Sequence, residues 1–229
     1  MIIANMQRLV NFILSPIGAK IIMALSGALI ILFLLGHVLG NLLIFNGQQS
    51  LNTYAHWLQN NPFLWIFRLS MIVLLVLHIF IALRLAHQNK LARPIDYEVK
   101  KSIQLGLSEK TMILSGALIF AFIIFHIAHL SLGLIPPSSL EALDSRQMLD
   151  VYTNVVSSFQ QPIITIIYIL SILVIGLHLY HSLKSLFQTL GFHHENFHLV
   201  LNALSPILII ALIVAFISIP IAVLSGMIS

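Results

Sequence analysis

Five long, almost uncharged apolar runs, at about 21 to 44, 63 to 85, 111 to 135, 162 to 186 and 201 to 227, leave this 229-residue chain little choice of fold. A hydrocarbon core about 30 Å thick is crossed by roughly 20 residues of helix, and each run meets that length. In lipid every backbone polar group must be paired internally, which only helices and closed barrels achieve. Continuous Leu and Ile runs without period-two alternation exclude the barrel. The expectation is an all-α integral membrane bundle of five transmembrane helices, residues 1–229 forming a single domain. Composition closes the argument: 59% hydrophobic and 8% charged residues, with mean hydropathy +1.02, leave too little polar surface for a soluble globule.

Lys and Arg set the expected orientation. Arg8 and Lys20 precede the first run, Arg84, Lys90, Arg93, Lys100, Lys101 and Lys110 lie at or between the second and third, and Lys184 ends the fourth. Arg68 and Arg146 fall on the other side, where a loop from about 136 to 160 carries Glu141, Asp144 and Asp150. The positive-inside rule then puts the N-terminus in the cytoplasm and the C-terminus outside. The segment up to Pro16 reads as an interfacial lead-in rather than a signal peptide. The net charge of +4 follows from this topology and makes no case for nucleic acid. The chain has no cysteine, which excludes disulfides, zinc-thiolate sites and iron-sulfur clusters held by this chain alone.

The first and third runs repeat one another. Ser26 to His37 reads SGALIILFLLGH and Ser115 to His126 reads SGALIFAFIIFH, so Ser, Ile, Phe and His recur at identical spacing on one helix face. The second and fourth are looser copies, LVLHIFIALR and VIGLHLYHSLK, each placing a histidine six residues before a cation. Two helix pairs, 1-2 and 3-4, are expected to be parallel repeats, with the fifth helix packing against them.

Each repeated run carries one intramembrane histidine at a matched depth. His37 lies seventeen residues after Lys20 and His126 sixteen after Lys110, roughly 25 Å along a helix. His78 and His178 lie only roughly 9 Å from Arg84 and Lys184. That defines two levels about 15 Å apart along the membrane normal. A lone intramembrane histidine can serve as a hydrogen-bonded packing residue. Four at two paired depths, each an expensive ionisable group in lipid, point instead to bis-histidine haem ligation, His37 with His126 and His78 with His178. The absence of a Cys-x-x-Cys-His motif favours haem b over haem c. His129 and His181, three residues beyond two of these, sit on neighbouring faces and compete as ligands.

At these residues the chain resembles the cytochrome b subunit of succinate dehydrogenases and fumarate reductases, in the b558 version with one five-helix anchor and two haems. The motifs are SGALIILFLLGHVLGNLLIFNG followed by NTYAHWL, LHIFIALRLAHQNKLARPIDY, ILSGALIFAFIIFHIAHL and GLHLYHSLKSLFQTLG. The resemblance covers nearly the whole chain. It implies His37 and His126 as distal haem ligands and His78 and His178 as proximal ones, the pairing reached from depth alone. It also implies a bacterial cytoplasmic membrane, an iron-sulfur subunit on the cytoplasmic face, a flavoprotein subunit with covalent FAD, and a membrane quinone, menaquinone in the di-haem version. Succinate chemistry would belong to those partners, and the complex could assemble into a higher oligomer.

Further site residues follow as expectations. Arg84, Lys184 and His181 cluster near the inner level as propionate contacts. Near the outer level Asn52, Tyr54, His56, Trp57 and Arg68 offer donors and aromatic surface, and His56, Trp57 and His129 are the candidate quinone-region residues. No Asp or Glu lies inside any of the five runs, so His56 or His129 would have to stand in for a buried carboxylate in proton handling. The cationic loop from Arg84 to Lys110 and the His193, His194, Glu195 segment are where the iron-sulfur subunit is expected. Two other readings stay open: the di-haem subunit of another quinone-linked dehydrogenase or hydrogenase, and a haem-free transporter.

Overall fold

A computed structural model describes residues 2–91, 111–137, 142–191 and 195–229. Most of the loop from Arg84 to Lys110, together with Glu141, His193 and His194, lies outside these residues. The described chain is helical, with one isolated bridge between Leu143 and Leu149.

Local chemistry sets the helix boundaries. After a short α1 (Ile2–Leu14), Ser15 donates from Oγ to the Phe12 carbonyl and accepts from the Gly18 amide, capping α2 (Pro16–Asn41). Pro16 takes the first helical position, where its missing N–H is harmless. The first spanning helix therefore starts at this Ser-Pro step and not at about 21. A 3₁₀ turn, Leu42–Asn46, follows, and Gly47 at φ +90° redirects the chain into α3 (Gln48–Gln59).

Next come α4 (Leu64–Leu91) and α5 (Met112–His126), the latter running into a π turn at Ile127–Ser131. That turn is closed by Leu132 N–H to the Ile127 carbonyl, and Gly133 at φ +61° stops it, short of the expected 135. The segment from 136 to 160 is not loop throughout, because Asp150 caps the short helix α6 (Val151–Phe159) with a bond from the Thr153 amide. Val156 and Phe159 supply its buried face. The chain ends with α7 (Pro162–Thr189) and α8 (Glu195–Leu224), which contains Pro206 and Pro220.

Five of these segments are long and apolar enough to cross a membrane: Pro16–Asn46, Leu64–Leu91, Met112–Ser131, Pro162–Thr189 and Ala203–Leu224. This is a multi-pass α-helical membrane protein. Large apolar side chains such as Leu32, Trp65, Ile163 and Ile207 face outward from the bundle, as lipid contact requires.

Four helices form a ring. Helix α2 packs on α4, α5 on α7, α2 on α7 and α4 on α5, while neither diagonal pair, α2 with α5 or α4 with α7, is closely packed. Helix α8 lies outside the ring against α7, where Gly176 admits the Ile213 side chain into space that a Cβ would occupy. Short α3 and α6 pack together and cap one end, over a core of Ile44, Leu51, Val156, Phe159 and Val223.

Candidate functional site

The diagonals of the ring carry the four histidines. His37 on α2 and His126 on α5 face each other with ring centroids 5.9 Å apart and planes at 90°. A metal held between two imidazoles by bonds of about 2 Å each would set their ring centres about 6 Å apart. Phe33 and Phe122, equivalent in the repeat, lie one turn before their histidines and flank them at 5.3 and 5.8 Å. Phe216 of α8 closes the His37 side at 6.1 Å.

Behind His126 stands Tyr168, a residue that sequence spacing does not single out. Its hydroxyl lies 3.3 Å from His126 Nδ1 and 3.0 Å from Nδ1 of His129, which is fully buried in the π turn. A buried phenol needs a hydrogen-bond partner, and the only sequence signal for this one is a tyrosine inside an apolar run. One hydroxyl proton serves one histidine, so the other must donate to the phenol oxygen. Nε2 of His129 has no protein partner.

At the other level the repeat reproduces itself in atomic detail. Ser26 Oγ of α2 lies 3.0 Å from His78 Nδ1 of α4, and Ser115 Oγ of α5 lies 3.0 Å from His178 Nδ1 of α7. Gly27 and Gly116, the next residues, lie beside the rings: a Cβ there would stand 3.3 Å from His78 Cε1 and 3.7 Å from His178 Cε1. His78 and His178 are within electrostatic range of each other, and His181 is near His178. Sequence spacing places Ser26 and Ser115 on the histidine-bearing face but does not show that each reaches a histidine of the neighbouring helix.

The remaining candidates are spread out. Arg84 and His181 are half-buried toward the ends of α4 and α7, and Lys184 is exposed. His56 is exposed on α3, where its Nε2 meets the side chain of Asn60, the residue that caps the helix, at 3.1 Å. Trp57 is exposed and stacks with Tyr54 at 6.4 Å. Both aromatics line a groove of about 590 Å³ with Asn46, Gln49, Ser50 and Thr53. His129 is buried beside Tyr168, apart from that groove, and the Arg68 guanidinium sits 5.0 Å from the centre of the Trp65 ring.

Next to the groove a polar knot holds the capping helices. Asn52, fully buried, donates to Asp144 Oδ2 at 3.2 Å and Asp150 Oδ1 at 3.0 Å, and accepts from the Tyr152 amide. Gln48 donates to Asp150 at 2.8 Å, and Arg146 pairs with Asp144 at 3.3 Å. Desolvation raises both carboxyls, but hydrogen bonds outweigh it and leave both below the usual carboxylate range. For Asp144 these come from the Met148 and Arg146 amides, Asn52 and the Arg146 guanidinium; for Asp150, from Asn52, Thr153 and Gln48.

Among the described residues no group of three or more His, Cys, Asp or Glu gathers as a ligand set for a bare metal ion. Two imidazoles supply only two ligands, so a metal held by them would have to bring the rest of its own. A tetrapyrrole would do so, and imidazole is a donor suited to its iron. No family model, curated protein or solved structure matches the chain.

Proposed function

We propose that this chain is the cytochrome b membrane anchor of a succinate:quinone oxidoreductase, carrying two bis-histidine haems b between a soluble iron-sulfur partner and membrane quinone. The observation that carries the reading is the His37–His126 pair, whose rings meet 5.9 Å apart across a diagonal of the ring, about the separation that two imidazoles on one metal would have. The matched Ser–His bonds at the second level support a second pair of the same kind.

In this reading, His37 and His126 hold the outer haem, and His78 and His178 the inner one. When bound, such a group accepts and releases one electron at a time. The chain's own residues do the rest. Phe33, Phe122 and Phe216 exclude water around the outer imidazoles, Tyr168 orients His126 through Nδ1, and the serines orient the inner pair. Arg84, His181 and Lys184 would meet the inner propionates. Quinone would approach the outer level beside the groove at Tyr54 and Trp57, with His129 as an interior polar group. The N-terminus would be cytoplasmic, with the iron-sulfur subunit on the same face.

Reduced-minus-oxidised spectra and a haem-to-protein ratio on the purified chain test this. Two b-type haems per chain are expected; a chain free of b-type absorption refutes the reading and favours a transporter. Co-purification from the native membrane then identifies the partners. A flavoprotein that oxidises succinate or reduces fumarate is expected, and a hydrogenase or formate dehydrogenase in its place would assign the chain to a different di-haem complex.

A further inference from the structure

The inner histidines are tied to the repeat by bonds that bear on which ring nitrogen is free. Ser26 Oγ lies 3.1 Å from the Met23 carbonyl, and Ser115 Oγ 3.0 Å from the Met112 carbonyl, one turn back in each helix. A serine hydroxyl has a single proton, and a carbonyl can only accept. With that proton on the carbonyl, Oγ has only lone pairs to offer, and the 3.0 Å bond to the imidazole needs a proton on Nδ1. Both serines are buried, 3% and 6% exposed, so water does not compete for these bonds.

We propose that Ser26 and Ser115 are a matched pair of positioning residues that hold His78 and His178 as Nδ1–H tautomers and so keep Nε2 as the free lone pair. Gly27 and Gly116 complete the arrangement. The Nδ1–Cε1 edge of each ring lies along the Ser-Gly step of the neighbouring helix, which turns the Nε2–Cδ2 edge away from it. The repeat thus has a chemical purpose within each half: one helix selects the tautomer of the histidine on the next. Metal-bound histidines generally need such an outer partner, because it orients the ring and raises its basicity. The inference rests on the haem reading for its purpose, but the tautomer itself is a property of the chain.

The chain in lipid vesicles, labelled with nitrogen-15 histidine, provides the first measurement. In the wild type the protonated nitrogen of His78 and His178 is expected to be Nδ1. S26A should release His78 into a mixture of tautomers with His178 unchanged, S115A should do the reverse, and S26T and S115T should restore the wild-type signal. Protonation at Nε2 in the wild type, or alanine variants with unchanged tautomers, overturns the proposal.

The second measurement is on the cofactor-loaded chain. Each alanine variant should retain the inner haem about 10–100-fold less tightly and shift its midpoint potential, with the outer haem unaffected. Threonine variants should recover both properties, which a simple packing defect at a small buried site would not allow. Two haems with unchanged inner potential in S26A and S115A would refute the serine role while leaving the proposed function standing. A chain that binds no haem would refute the function, and the nitrogen-15 signals would still decide the tautomer.

Discussion

His37 and His126 stand perpendicular at 5.9 Å between ring centroids, on helices that otherwise do not pack closely. If they share one haem, H37A and H126A are equivalent lesions. Each should lower the haem content from two to about one per chain, and the missing one should be the outer haem in both cases. Spectral titration of the purified variants checks this. Loss of different haems in the two variants would break the pairing.

Tyr168 bridges His126 and His129 through one hydroxyl. Y168F leaves Nδ1 of half-buried His126 and of buried His129 without that partner, at a cost of about 1 kcal/mol for interhelical bonds in a membrane. Because His126 loses its orienting group, the outer haem's midpoint potential should move while the inner one stays. Redox titration of both haems measures the effect, and equal shifts would point to general loosening.

Asn52 is the hub of the cap that joins α3 to the 142–152 segment. N52A leaves Asp144, Asp150 and the Tyr152 amide each short of a partner, and removing a buried partner costs about 1–3 kcal/mol. The cap should open before the spanning helices do. Limited proteolysis around 142–152, faster in N52A at unchanged haem content, is the expected result.

The same carboxylates make the cap sensitive to acid. Their folded pKa values lie below the unfolded value of about 3.9, so between the two the unfolded state binds more protons and stability rises with pH. The stabilisation is complete above the unfolded value and is lost as pH falls through the folded one. Proteolysis of the cap should therefore accelerate below about pH 4, and a D150N variant should show a weaker pH dependence.

Gly40 is in contact with the Tyr54 ring, whose Cε1 would be 2.6 Å and hydroxyl 2.8 Å from an added Cβ. G40A must displace the aromatic ring that lines the outer groove, and overpacking of this kind costs about 1–3 kcal/mol. Thermal unfolding should occur at lower temperature, and Tyr54–Trp57 stacking, read from tryptophan fluorescence, should change with it.

Much was legible in the order of residues. Run lengths of roughly twenty apolar residues predict five spans because the bilayer imposes that length on any helix. The SGALI repeat predicts that two helices present the same face, and they do: Phe33 and Phe122 flank equivalent histidines, and Ser26 and Ser115 make equivalent 3.0 Å bonds. Helix α6 was hidden because its capping Asp150 and short Val-rich stretch look like an ordinary polar loop with a few apolar residues. Tyr168 was hidden because it lies on a helix whose repeat partner has no counterpart to mark it, so spacing carries no signal for it.

The sequence by itself determined the class, the number of spans and the matched depths of four histidines, because these depend only on hydropathy and on a constant rise per residue. Tertiary structure decided which side chains meet. Whether a serine on one helix reaches a histidine on the next, whether histidines on two diagonal helices meet, and which polar groups seal the cap all depend on helix rotation and approach. Those quantities are set by packing among all the helices at once, and no single segment encodes them.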